Sequence, residues 1–166
     1  HASSPKKNIF DQVKLETANF SGRMDNLRSS VLIPQLEELD KKVTQWNKLY
    51  NVLNDNLKKQ NGIFFPNRDS DEYFVGSSIQ FRIDSLNNEQ IKSFINNCKA
   101  RGVELKWFGD EKPVAYTSRY DSWKYLDNIP RLANTLRILA KTFDMRIPLT
   151  FTVQDCNIIS KIIIIF

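Results

Sequence analysis

Arg23 stands directly after a short turn, Ser21-Gly22, at the start of a long helical pattern. Its guanidinium offers a planar set of N–H donors that suits a phosphate or a carboxylate. The first backbone N–H groups of a helix add partial positive charge at the same place, and the amide of Asn19 offers a further donor. These residues predict either an anion site at the helix entrance or an ordinary cap formed by Ser21 or Asp25. Residue types alone favour the cap, because so short a motif is not specific for a ligand.

A stretch rich in aromatic residues and cations, residues 105–126, is the second candidate for function. Its rings and charges belong to Trp107, Phe108, Tyr116, Tyr120, Trp123 and Tyr125, and to Lys106, Lys112, Arg119 and Lys124. Long loops of this kind often bind ligands. The composition suits single-stranded nucleic acid, since rings stack on bases while cations contact phosphates, and it equally suits a pocket wall for a small anionic substrate. A loop whose rings simply cover a sheet is the remaining interpretation.

Several kinds of site are excluded by what the sequence lacks. The only histidine is His1, and the two cysteines, Cys98 and Cys156, are far apart, so neither a metal site nor a Cys/His nucleophile is expected. Lone cysteines are typical of buried thiols in a reducing compartment, and we expect a cytoplasmic protein. No glycine-rich phosphate loop, H-E-x-x-H or G-x-S-x-G motif occurs. The net charge of +5 is compatible with anionic ligands, and the apolar tail "IISKIIIIF" is too short to span a membrane.

Apolar residues at alternating steps of four and three predict a long helix over about residues 24–60. The stripe consists of Leu32, Leu36, Leu39, Val43, Trp46, Tyr50, Leu53 and Leu57. Pro34 predicts a kink or a break near Leu32-Ile33, and Asn61-Gly62 is a suitable end. A stripe of this kind can form a coiled coil with a partner, but the short run without systematically paired charges favours a helix of the domain core.

The rest of the chain alternates between strand and helix patterns. Strands are predicted at residues 63–66, 73–83, 103–108 and 145–149, and helices at residues 89–102, 130–142 and from 152 onward. We expect Asn87 or Asn88 to cap the first of these helices and Thr152 the last. In the helix over residues 130–142, the pattern predicts that Leu132, Leu136 and Leu139 or Ala140 are buried. This order predicts an α+β fold class, with a small, mostly antiparallel sheet covered by helices on one face.

Four segments in fixed order carry a resemblance to a known family: "GRMDNLRSSVLIPQLEELDKKVTQWNKLY", "GSSIQFRI", "RGVELKWFG" and "DMRIPLTF". Over roughly residues 15–164 the sequence resembles the C-terminal part of the DegT-type aminotransferases, the sugar-aminotransferase branch of the fold-type I pyridoxal 5'-phosphate (PLP) enzymes. Arg23-Met24 matches the family's G-Y-N-x-R-M pattern, and residues 35–40 match its Q-L-x-x-L-D pattern. Arg101–Val103 matches the R-G-[IV] that precedes a substrate-facing loop.

The resemblance implies the C-terminal domain of a PLP-dependent aminotransferase, which moves an amino group from an amino acid such as glutamate to a keto substrate, expected to be a nucleotide-linked sugar. It implies a small domain at residues 24–166, preceded at residues 1–23 by a linker arm and a turn that faces the active site. The family's cofactor-binding lysine lies N-terminal to the matching segment, so this chain is expected to be a fragment without a catalytic residue and inactive alone.

The resemblance also implies roles for individual residues. Arg23, with Asn19 and Ser21 as candidates for the family's asparagine, is expected to contact the cofactor phosphate across the boundary of a homodimer. Lys106, Trp107 and Arg119 are expected to line the wall of the substrate site. The partners implied are a small molecule and a second subunit, not a membrane or a nucleic acid. A basic, aromatic module that binds single-stranded nucleic acid is the alternative.

Overall fold

Five helices and one four-stranded sheet make up the described part of the chain. This computed structural model describes residues 24–112, 121 and 127–165. The helices are α1 (Asn26–Glu37), α2 (Leu39–Lys58), α3 (Asn88–Ala100), α4 (Ala133–Leu139) and α5 (Val153–Ile164). The strands are β1 (Ile63–Phe64), β2 (Ser78–Ile83), β3 (Lys106–Trp107) and β4 (Thr142–Arg146). The predicted arm over residues 1–23 and most of the predicted aromatic loop lie outside the described residues.

The sheet is antiparallel throughout, in the order β1-β2-β4-β3. At its centre Ile79 pairs with Met145 and Phe81 pairs with Phe143. On the other side of β4, Trp107 lies opposite Phe143. Directly opposed residues project from the same face, so these five apolar side chains share one face of the sheet. The predicted fold class, α+β with a small antiparallel sheet, is confirmed.

The apolar face of the sheet is the floor of the core. Phe81 stacks on Phe143 with 5.5 Å between ring centroids, and Phe94 of α3 meets the same ring edge-on at 5.3 Å. Leu53 of α2 and Ile163 of α5 are fully buried in the same cluster. The helices α2, α3 and α5 therefore cover this one face, as the sequence predicts.

The predicted helical span over residues 24–60 is occupied by two helices that are interrupted at Glu38 rather than near Leu32-Ile33. Pro34 lies inside α1. A proline removes the N–H that would bond to the carbonyl four residues earlier, here that of Ser30. Both residues are exposed, so water can satisfy that carbonyl and the helix continues. At Glu38 the backbone has ψ of 0°, and its N–H bonds back to the Leu36 carbonyl.

The predicted apolar stripe is buried only in its second half. Val43, Tyr50, Leu53 and Leu57 are buried in α2, whereas the stripe residues Leu32, Leu36 and Leu39 are exposed by 38%, 65% and 44%. α1 contains no buried residue. A core helix is therefore the right interpretation for α2 and the wrong one for α1.

β2 begins at Ser78, five residues later than the predicted strand start at Tyr73. The earlier segment is tied to α2 instead, because the Asn47 side chain donates to the Phe74 carbonyl at 2.9 Å and accepts from the Gly76 N–H at 2.7 Å. A Cβ atom at Gly76 would lie 2.5 Å from the Cβ of Tyr50, so only glycine allows this approach. Backbone groups that bond to a side chain are not available to a sheet ladder.

The predicted helix over residues 130–142 is shortened to α4, and its last predicted residue, Thr142, belongs to β4 instead. Thr142 and Phe143 pair with β2, and the alternating burial of β4 continues from there. Leu132 is exposed, and Leu136, Leu139 and Ala140 are only half-buried, so the predicted burial of this stripe is wrong. The strand at residues 103–108 is likewise reduced to two residues in β3.

The predicted helix starts of α3 and α5 are confirmed. Asn87 accepts from the Gln90 N–H at 2.9 Å while the Gln90 side chain accepts from the Asn87 N–H, a reciprocal capping box. Thr152 and Asp155 form the same arrangement at α5. The first N–H groups of a helix have no carbonyl of a preceding turn to bond to, and these side chains supply the missing acceptors. Each pair therefore fixes where its helix begins.

Candidate functional site

The open face of the sheet carries a set of polar side chains. They are Ser78, Gln80 and Arg82 on β2, Lys106 on β3, and Thr142, Asp144 and Arg146 on β4. None of the seven is buried, whereas the residues between them on the same strands are. Strand alternation thus sends the apolar residues into the core and leaves the polar ones on a surface.

One row across this face places Lys106, Asp144 and Gln80 side by side. The Gln80 side-chain amide donates to Asp144 Oδ1 at 2.6 Å and to Ser78 Oγ at 2.9 Å. Lys106 is half-buried, and its Nζ lies 4.8 Å from the centroid of the Phe108 ring. The amide therefore holds the carboxylate in place beside a cation, which is a suitable arrangement for a charged ligand.

Arg82 lies two residues along β2 from Gln80, opposite Phe64 of β1. Its Nε lies 2.6 Å from Asp84 Oδ1, but the N–H does not point at that oxygen, so the contact is an ion pair rather than a hydrogen bond. The guanidinium carbon lies 5.4 Å from the centroid of the Phe64 ring. Contacts of a partly exposed pair like this one add little stability.

Lys106 and Trp107, which the resemblance places together on a substrate wall, project from opposite faces of the sheet. Trp107 is only 7% exposed, and its indole N–H donates to the Ala140 carbonyl at 2.9 Å. Gly109 allows the chain to pass over the indole, because a Cβ atom there would lie 2.6 Å from the indole nitrogen. Trp107 is therefore fixed in the core, on the side of β3 opposite to Lys106.

A groove of about 730 Å³ lies at the β3 edge of the sheet. Its floor is apolar and includes Ile95 of α3 and Ile159 of α5. Its charged residues have both signs: Lys99, Lys106 and Arg146 against Glu104, Asp110 and Asp144. Concave surfaces of this size with a few polar groups over an apolar floor are typical of small-molecule sites. Mixed charge suits a ligand that itself carries both signs, as an amino acid does.

The other predicted site residues fall outside the described part of the chain. Asn19, Ser21 and Arg23 precede residue 24, and Arg119 lies in the gap between residues 112 and 121. Gln80 and Asp144 are brought to the site by the structure and were missed in the sequence. The alternation of "SIQFRI" predicts that the Gln80 side chain points away from the core. Only the pairing of β2 with β4 shows that it lies beside Asp144.

Comparison with known protein families decides what kind of chain this is. The model of the DegT/DnrJ/EryC1/StrS aminotransferase family matches residues 1–162. The chain belongs to this family. A search of curated proteins finds no match. Membership confirms the resemblance carried by the four segments, and it supports aminotransferase activity for the full-length protein.

Family membership makes PLP the expected cofactor, because enzymes of the DegT family generally depend on it. That chemistry needs a lysine amine in an enclosed site to attach the cofactor. Every lysine among the described residues is at least partly exposed. These described lysines therefore do not fit the covalent attachment of PLP.

The alternative of a single-stranded nucleic-acid module is not favoured by family membership. The structure adds a physical reason: Trp107, one of the rings on which it relied, is enclosed in the core and cannot stack on a base. The rings of Tyr116, Tyr120, Trp123 and Tyr125 lie outside the described residues. Within the described residues, none of the helices combines the length and apolar character needed to span a bilayer.

Both cysteines are free and buried, which confirms the sequence prediction for them. Burial raises the pKa of the Cys98 thiol to about 11, although the nearby charge of Arg101 opposes this. Burial and the charge of Asp155 likewise raise the pKa of the Cys156 thiol. A thiol that keeps its proton is a poor nucleophile, so both residues are structural rather than reactive.

Proposed function

We propose that this chain is the C-terminal domain of a PLP-dependent DegT-type aminotransferase that acts on a keto substrate, with a nucleotide-linked sugar as acceptor and an amino acid such as glutamate as donor. The family match over residues 1–162 carries the proposal. The open face of the sheet and the groove beside it supply the surface on which such a domain would meet a substrate.

Lys106 is the described residue that best suits the substrate wall in this proposal. It lies on the open face, lines the groove and stands next to the Asp144 carboxylate in the register. A partly buried ammonium on an otherwise structured strand can bind the carboxylate or phosphate of a substrate. Arg119 is proposed as a second cation of this wall. Trp107 lines the same groove and is proposed to hold β3 in place from the core side.

Arg23 is proposed to contact the cofactor phosphate, with Asn19 or Ser21 as a companion. A guanidinium next to the N-terminus of a helix suits a dianion, which supports this proposal. In the proposal the phosphate belongs to the neighbouring subunit of a homodimer in the cytoplasm. The lysine that attaches the cofactor is proposed to come from a part of the enzyme other than these 166 residues. The chain alone would then have no transaminase activity.

The attachment of PLP gives a direct test. The 166-residue chain is incubated with PLP, reduced with borohydride and analysed by peptide mass spectrometry. The proposal expects weak labelling spread over exposed lysines, and no visible absorbance band of a protein-bound cofactor. Stoichiometric labelling of one lysine of this chain would contradict it.

Substitution of Lys106 tests the substrate wall in the complete enzyme. Lys106→Ala should raise the KM for an anionic acceptor about tenfold or more, because one charge-assisted hydrogen bond contributes about 1.5–3 kcal/mol. Lys161→Ala, which removes an exposed lysine from α5, is the matched control and should leave KM unchanged. Equal effects of the two substitutions would remove Lys106 from the substrate site.

A further inference from the structure

A second concave surface lies at the opposite edge of the sheet, beside β1. This β1-edge cavity has a volume of about 550 Å³ and is enclosed by the second half of α2, by β1 and by residues 65–68. β1 and β3 are the outer strands of the sheet. With three strand spacings of about 4.8 Å between them, the cavity is about 14 Å from the Lys106 strand. It shares no lining residue with the groove at the β3 edge.

Two cations, Lys58 and Arg68, line the β1-edge cavity. None of the described residues that line it carries a carboxylate. Arg68 is paired with Glu72, which lies outside the lining, whereas Lys58 brings a second positive charge to the wall. Two cations on one wall suit a ligand with a doubly charged anionic group. A phosphate fits this requirement better than a singly charged carboxylate.

The guanidinium of Arg68 is held in one position before any ligand binds. It lies over the Phe74 ring, with 3.6 Å from the guanidinium carbon to the ring centroid. Its Nη1 donates to Glu72 Oε1 at 2.8 Å, which occupies one of its five N–H groups. The Tyr50 ring packs edge-on against the Phe74 ring, with 4.6 Å between the ring centroids. An arginine fixed in this way loses little conformational entropy when it binds an anion.

The remaining wall of the cavity suits a planar, partly polar group. Phe64 is 47% exposed although it is a large aromatic residue in a strand. The Arg82 guanidinium lies 5.4 Å from its ring centroid, and the exposed part of the ring is open to a stacking partner. Asn54 and Asn67 bring side-chain amides, which offer both donors and acceptors to the edge of a heterocycle or to hydroxyl groups. Stacking of a base on an aromatic side chain contributes about 1–3 kcal/mol.

We propose that the β1-edge cavity binds a nucleoside phosphate, with Lys58 and Arg68 on the phosphate and Phe64 beneath the base. The volume is within the range of about 300–1,000 Å³ that is usual for small-molecule sites. The inference does not depend on the aminotransferase proposal, because it uses neither Lys106 nor Asp144 and requires no cofactor.

Calorimetric titration of the full 166-residue chain tests the site. The probes are AMP, UMP, adenosine and inorganic phosphate, each at low salt. The proposal expects saturable binding of a nucleotide, with adenosine and inorganic phosphate each binding at least about tenfold more weakly because each retains only one of the two contacts. No saturable binding of either nucleotide would overturn it, and so would equal affinity for AMP and inorganic phosphate.

Matched variants assign the binding to this cavity. Lys58→Glu reverses a lining charge and should weaken nucleotide binding about tenfold or more. Lys59→Glu changes the next residue, an exposed lysine outside the lining, and should have a much smaller effect that salt removes. Arg68→Ala removes a ring contact as well as a charge and could disturb folding. Arg68→Lys is therefore used as a second variant. It should weaken nucleotide binding while the unfolding midpoint stays near that of the parent. Equal losses in the Lys58 and Lys59 variants would place the binding elsewhere and overturn the proposal.

Discussion

The two faces of the sheet are built from neighbouring residues but serve different purposes. On the packed face, Phe143 and Trp107 are enclosed by rings, aliphatic side chains and one indole hydrogen bond. On the open face, Asp144 and Lys106, each one residue away, keep contact with solvent. Stability is concentrated on the first face, since burial of apolar area is the main favourable term in folding. The second face is therefore free to vary in chemistry without loss of the fold.

The strongest test of this comparison is Phe143→Ala. The ring is fully buried between Phe81 and Phe94, so its loss leaves a cavity that the sheet cannot close. We expect the free energy of unfolding to fall by about 3–5 kcal/mol. Urea denaturation followed by circular dichroism measures the change.

Asp144→Asn, one residue further along β4 and on the open face, is the control for Phe143→Ala. An amide keeps an oxygen that can accept the hydrogen bond from Gln80, so the change in unfolding free energy should stay within about 0.5 kcal/mol. If this substitution destabilises the protein as much as Phe143→Ala does, the two faces do not differ as described.

A smaller effect is expected for Trp107→Phe. The replacement keeps an aromatic ring but removes the indole N–H, which leaves the Ala140 carbonyl without this donor. The free energy of unfolding should fall by about 1–3 kcal/mol. Lys106→Gln, on the open face, should change it by no more than about 0.5 kcal/mol. A larger loss in the Lys106 variant would mean that this residue supports the fold and not a ligand.

Cys98 should make the free energy of unfolding depend on pH in alkaline solution; this residue packs from α3 toward the same apolar face. The native thiol has its pKa raised to about 11, above the value of about 8.5 for an unfolded chain. Between these values the unfolded state binds fewer protons, so the stability that is present below about pH 8.5 is lost as the pH rises toward the native pKa.

Cys98→Ala isolates this contribution from the other groups that titrate in alkaline solution. The parent protein should lose stability more steeply than the variant as the pH rises from about 8.5 to the native value of about 11. Chemical denaturation at several pH values measures both slopes. Parallel slopes would show that the Cys98 thiol titrates normally in the folded state.

Local sequence signals predicted the element types well and their joint arrangement less well. Caps at Asn87 and Thr152 depend on residues three positions apart, and alternation in β2 depends on residues two apart, so both are visible in the sequence. The α1–α2 interruption at Glu38 was not visible, because neither a proline nor a glycine marks it. The separation of Lys106 from Trp107 follows from alternation, yet only the pairing with β4 shows which of them is enclosed.

The candidate site shows the same limit. Its cation at position 106 was predicted from composition and from the family resemblance, while Gln80 and Asp144 became part of it only through strand pairing between residues 64 positions apart. Asp144 lies in none of the predicted elements, because the predicted helix ends at residue 142 and the predicted strand begins only at residue 145, whereas β4 begins at Thr142. Non-local pairing is decided by packing of the whole sheet, and a single sequence does not display it.

The exposure of α1 has a consequence for how the chain comes apart. A helix of 12 residues is marginal in water when it buries nothing, and α1 buries none of its residues. Its order therefore adds little to the cooperative unit formed by α2, the sheet, α3 and α5. Melting can begin there while the rest of the domain stays intact, so the global midpoint of unfolding reports on the described residues after Glu38 and hardly on those of α1.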